Sequence, residues 1–132
     1  MSKKYLSKKY SKIFTFNTVL KTFNDHSKSK DKLIIHTSNG LYIGNLREPI
    51  DANDLTLNDN DDFSTVYNKM YISALNKYES NENSEISEIT ENPITIELED
   101  VLVVTNATRI KMPFVEIFVD QIIGFSYGSI DL

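Results

Sequence analysis

The chain of 132 residues carries a formal net charge of −5, with 40% apolar and 25% charged residues and no cysteine. This length suits one domain with a real core, and the absence of thiols excludes disulfides, thiolate metal sites and cysteine nucleophiles. No apolar run reaches the ~20 residues of a membrane helix. The basic N-terminus lacks the apolar core of a secretion signal, so a single cytoplasmic domain (1–132) with no membrane partner is expected.

Charge is unevenly spread. Residues 1–32 hold nine lysines against Asp25 and Asp31, a balance of +7. Residues 33–132 hold five Lys or Arg against seventeen acids, a balance of −12, and the stretch 48–91 alone reaches −9. Such asymmetry reads either as a basic arm for an anionic partner or as attraction within and between chains. In residues 1–12 a repeated Ser-Lys-Lys-Tyr unit places Tyr5 and Tyr10 among Lys3, Lys4, Lys8, Lys9 and Lys12. Lysines on phosphates and tyrosines stacked on bases would make these seven residues a nucleic-acid contact. A flexible basic tail over 1–12 is the plainer expectation.

Phe16, Val19, Leu20 and Phe23 fall at i, i+3, i+4 and i+7, predicting a short helix buried along that stripe. Alternation at Phe14 and Phe16 leaves a strand as the competing reading. The polar stretch 26–32 reads as a linker. Apolar runs at 33–37 and 41–46 flank Ser38-Asn39-Gly40, a hairpin signature in which Asn-Gly supplies positive φ angles. Gly44 inside the second run marks a sharp bend or a close backbone approach.

Residues 47–93 interrupt the β pattern. Asp51, Asp54, Asn58, Asn60 and Asp62 invite a calcium reading. With Asn58 as the first ligand, however, the sixth and twelfth loop positions fall on Phe63 and Lys69 instead of Gly and Glu, and the EF-hand pattern fails. Phe63, Val66, Tyr67, Met70, Tyr71, Ala74, Leu75 and Tyr78 keep helical spacing and predict a helix over 63–78. Core packing is the default for that stripe, although Tyr67, Met70 and Tyr71 also suit a partner interface. Residues 79–93 read as an acidic mobile loop.

The densest β signal is last. Strands are expected at 94–104, 112–119 and 122–127, rich in Val, Ile, Phe and Tyr with period-2 alternation and antiparallel neighbours. His26 and His36 form no HxH or HExxH pair, and no GxSxG, GxGxxG or GxxxxGK[ST] motif is present. No enzyme activity, cofactor or metal is therefore expected. The fold class is mainly β with helices (α+β).

This pattern resembles the Sm-like (LSm) family of small, strongly bent five-stranded antiparallel barrels, with SH3-like barrels the related alternative. Asn39, Gly40, Gly44 and Leu46 match the first half of the first Sm motif. Glu91, Ile94, Thr95, Leu98 and Asp100 keep the spacing of its second half, and 118–123 (FVDQII) is similar to the second motif. The resemblance implies an N-terminal helix and two strands (13–46) and three later strands (94–132); the acidic insertion with its helix (47–93) departs from the family pattern, falling where the RNA-contacting loop would be. The resemblance also implies rings in which the fourth strand of one copy pairs with the fifth of the next. Val115, Ile117, Phe118, Val119, Ile122 and Phe125 would supply that interface. Where RNA-binding members carry Asn and a cation, this chain has Thr95 and Val119 or Asp120. The expectation is therefore a non-catalytic module for homo-oligomer formation or protein binding, with nucleic acid second.

Overall fold

The computed structural model describes residues 8–48, 50–51, 53–80 and 94–129. The chain divides into two compact units, residues 1–47 with 93–132, and residues 48–92. The first contains helix α1 (Lys8–Ser27) and strands β1 (Lys32–Thr37), β2 (Gly40–Leu46), β3 (Thr95–Val104), β4 (Arg109–Phe118) and β5 (Ile122–Gly128). The second contains helix α2 (Phe63–Ser80). The fold is α+β.

The strands form one sheet in the order β4-β3-β2-β1-β5, every pairing antiparallel. The β1–β2 hairpin pairs Thr37 with Gly40, leaving Ser38 and Asn39 as its loop. Only Gly40 takes the positive φ expected of Asn-Gly, at +156°. Gly44 lies where the β2–β3 register shifts, between Ile43 and Asn45. Facing it, Asp100 adopts φ +52°, the mark of a bulge that bends the pair.

The core lies on one face of the sheet. Leu33, Ile35, Leu98 and Ile122 from three strands pack with Ile13 and Leu20 of α1. The buried residues of α1 are Ile13, Asn17 and Leu20, so the expected stripe is corrected by a rotation about the helix axis. Val19 and Phe23 are exposed, and Phe16 is half-buried beside the Phe125 ring at 5.1 Å. The cause is Asn17, a polar residue at 6% exposure that apolar periodicity passes over.

Residues 8–12 are already helical, so the expectation of a flexible tail to residue 12 is corrected for them; residues 1–7 lie outside the described residues. Helix α1 ends at Ser27, and the φ of +58° at Lys28 makes that residue a left-handed C-terminal cap filled by a residue with a Cβ. Lys28→Gly should therefore raise stability by up to about 1 kcal/mol, read as a higher thermal midpoint. No rise would mean that unfolded-state entropy cancels the relieved strain.

In the second unit Asp62 caps α2, its carboxylate accepting from the Thr65 N–H at 3.0 Å. The buried polar residues of this helix are Ser64 and Lys69, whereas Phe63, Tyr67, Met70 and Tyr71 are exposed. Core packing of the full apolar stripe is thus corrected. Lys69 Nζ reaches back to the Thr56 carbonyl at 2.5 Å and the Asp61 carboxylate at 3.0 Å. The cation that organises this acidic loop is a lysine of the chain itself.

Candidate functional site

The order of the sheet puts β4 and β5 at its two edges. On β4, Val115 and Ile117 oppose Leu98 and Ile96 and turn toward the core, and Phe118 opposes Thr95 on the other face at 50% exposure. Pro113 stands where the β3–β4 ladder passes Asp100, a strand position that tolerates its missing N–H. Ile110 opposes the buried Val103 yet remains exposed.

On β5, Phe125 is half-buried, while Tyr127 and Ile123 are exposed, Ile123 at 74%. The β1–β5 register shifts between His36 and Thr37, so Ile123 is the residue left over in a bulge. That shift is why simple alternation misses it. Of the expected interface residues, Ile117, Val119 and Ile122 are buried in the core cluster and have no surface to offer, which corrects their assignment. Phe118 is exposed, Val115 and Phe125 are half-buried, and Tyr67, Met70 and Tyr71 are exposed on α2.

A 3-10 turn, Val119–Gln121, joins the two edge strands. Lys9 holds it: the ammonium donates to the Val119 carbonyl at 3.2 Å and the Ile122 carbonyl at 2.7 Å. The Tyr10 ring lies 4.7 Å from Phe14 and packs against the core. Burial, with the Glu97 carboxylate second, raises its hydroxyl above the ordinary phenol range. Within the expected nucleic-acid contact, Lys9 and Tyr10 therefore serve the fold, correcting their assignment. Lys8 and Lys12 are exposed. Lys3, Lys4 and Tyr5 lie outside the described residues.

Strands β3 and β4 also place Glu97 opposite Glu116, a like-charge pair on one face. The Thr95 hydroxyl donates to Glu116 Oε2 at 2.7 Å, and Arg47 Nη1 donates to Glu99 Oε2 at 2.8 Å. His36 Nε2 and Ser126 Oγ meet across β1 and β5 at 2.9 Å. Among the described residues no three His, Cys, Asp or Glu side chains gather to hold a metal. Among them, too, no helix is long and apolar enough to cross a membrane.

On the core side of β5, α1 leaves a groove of about 260 Å³. Phe16, Val19, Phe23 and Tyr127 form its apolar part, with Asn24 and Asp31 at a polar end. In comparisons with known proteins, the chain matches no family model, no curated protein and no solved structure.

Proposed function

We propose a non-catalytic Sm-like module for self-assembly or protein–protein interaction that works through β4 and β5. The observation that carries this reading is the pair of edge strands bearing exposed apolar side chains: Ile110 and Phe118 on one, Ile123 and Tyr127 on the other. Soluble sheets ordinarily blunt their edges with charge or cover them, and open edges invite further strands. The helix-first order and the edge positions of the fourth and fifth strands agree with the ring contact that the resemblance implies. Weighing against an Sm-type RNA site, the Thr95 hydroxyl is engaged by Glu116, Val119 is buried, and Asp120 is an acid. A phosphate chain would be repelled there.

Light scattering at several concentrations tests it. The wild type should exceed its 15.1 kDa chain mass, at high salt as at low. Phe118→Lys or Ile123→Lys should return the mass to that of one chain while the circular dichroism stays unchanged. A single-chain mass for the wild type at every concentration would defeat the self-assembly form. The second reading, nucleic-acid binding by the basic N-terminal segment, keeps the exposed Lys8 and Lys12 in its favour. It requires a complex with single-stranded RNA that dissolves as salt rises.

A further inference from the structure

Helix α1 meets the sheet where its two edge strands join, and one side chain makes the contact. The Lys9 ammonium donates to the Val119 carbonyl at 3.2 Å and to the Ile122 carbonyl at 2.7 Å, 110 and 113 residues further along the chain. Val119 opens the 3-10 turn and Ile122 opens β5. The Ile122 N–H also donates to the Val119 carbonyl, and the Val119 N–H donates to the Ile94 carbonyl at 2.8 Å.

What the lysine fixes is the direction of the neighbouring side chains. Val119 and Ile122 are 5% and 1% exposed, whereas Phe118 and Ile123, the residues just outside them, are 50% and 74% exposed. A peptide unit is planar, so holding the Ile122 carbonyl also sets the N–H of Ile123, the residue left over where the β1–β5 register shifts. Two carbonyls call for a donor with more than one N–H, and positive charge strengthens both bonds. An Nε-acyl lysine keeps one N–H and no charge, so it cannot hold both. Lys69, which also holds a backbone carbonyl, is 7% exposed, whereas Lys9 lies exposed on the first turn of α1. An acyl donor reaches Lys9 without opening the fold.

We propose that Lys9 is an acylation site, and that its charge holds β4 and β5 in the arrangement that self-associates. The inference rests on the assembly reading of these two edges. In the modifying step the Lys9 Nζ, as the free amine, attacks the carbonyl carbon of an acetyl thioester. A C–N bond forms, the C–S bond breaks, and the thiol leaves with the proton that the nitrogen gives up. The acetylated side chain releases the Ile122 carbonyl, and the turn loosens. Phe118 and Ile123 then lose their fixed outward directions, and self-association falls.

The test encodes Nε-acetyl-lysine at Lys9, or at the exposed Lys12 as control, beside the variants Lys9→Gln and Lys9→Arg. Light scattering over a concentration series reads the dissociation constant. Acetylation at Lys9 and Lys9→Gln should each raise it about tenfold or more. Lys9→Arg, which keeps the charge and several donors, should leave it unchanged, as should acetylation at Lys12. At a dilution where every form is a single chain, amide exchange over residues 118–124 should speed up in the two neutral forms and stay unchanged over the β1–β2 hairpin. Wild-type protein incubated with acetyl-coenzyme A should gain an acetyl group at Lys9 and none at Lys69, read by peptide mass spectrometry. A wild type that never exceeds one chain mass defeats the assembly reading itself. If the wild type associates, four results would each overturn the role of Lys9: an unchanged dissociation constant on acetylating it, an equal loss on acetylating Lys12, unchanged exchange over 118–124, or a Lys9 that stays unmodified.

Discussion

Replacing Gly40 by alanine is expected to cost about 3 kcal/mol, lowering the thermal midpoint by roughly 10 °C or more. Two effects act together. A Cβ at this position would stand 2.3 Å from the Val104 carbonyl oxygen, and the φ of +156° is strained for any L side chain. The obstacle is backbone of β3, so no side-chain rotation relieves it. Gly44 provides the intermediate case, with a Cβ 2.9 Å from the Glu99 carbonyl and 3.2 Å from Val101 Cγ2 at a bulge. Gly44→Ala should cost about 1–2 kcal/mol. At Gly124 the nearest atom is 3.9 Å away, so Gly124→Ala should be neutral or stabilise by up to about 0.5 kcal/mol. Thermal or urea unfolding of the three variants should give the order Gly40, Gly44, Gly124. A Gly40→Ala protein as stable as Gly124→Ala would show that the hairpin can shift away from β3.

Lys69→Met should dismantle the loop before α2 at neutral pH. The methionine fills the same space but leaves the Thr56 carbonyl and the Asp61 carboxylate without their shared cation. Amide hydrogen exchange over residues 58–77 should therefore speed up in this variant, while the sheet keeps its protection. Acid should do to the wild type what the substitution does at pH 7. The Asp61 carboxyl is held below its ordinary value of 3.8, first by the Asn58 N–H and then by the Lys69 ammonium. A group whose pKa is lower when folded stabilises the fold above its unfolded value, and that contribution disappears as pH falls through the folded one. Protection over 58–77 should thus fall below about pH 4 in the wild type. Unchanged exchange in the variant at neutral pH would make the lysine contact incidental.

Much of the sheet was legible because its strands announce themselves locally. Alternation at Ile96 and Leu98, the Asn39-Gly40 turn and the interior Gly44 each have one physical explanation, and each marks a strand, a hairpin or a bend that is present. The orientation of α1 was not legible, since a buried Asn17 looks solvent-facing to any count of apolar spacing. Nor was the edge surface. Ile122 and Ile123 are identical in type, yet one is 1% exposed and the other 74%, because a register shift with β1 decides between them. Lys9 and Lys69 resemble solubilising charges until the chain folds and carries them to carbonyls 110 and 13 residues away. The groove escaped notice because Tyr127 and Phe23 belong to segments far apart in the chain.

The order β4-β3-β2-β1-β5 also governs when the fold can be completed. Strand β1 sits between β2, its sequence neighbour, and β5, the last strand, with Leu33 paired to Tyr127. During synthesis, the hairpin of β1 and β2 must wait for the whole of the intervening chain before its second edge is satisfied. The 48-residue span between Leu46 and Thr95 adds a closure cost of about 2 kcal/mol relative to a four-residue turn, if it behaves as a flexible loop. An insertion that folds within itself reduces that cost by limiting the states the loop can explore. Refolding of this protein should accordingly be slow for its size and governed by long-range pairing. The half-made sheet would be the species most exposed to aggregation.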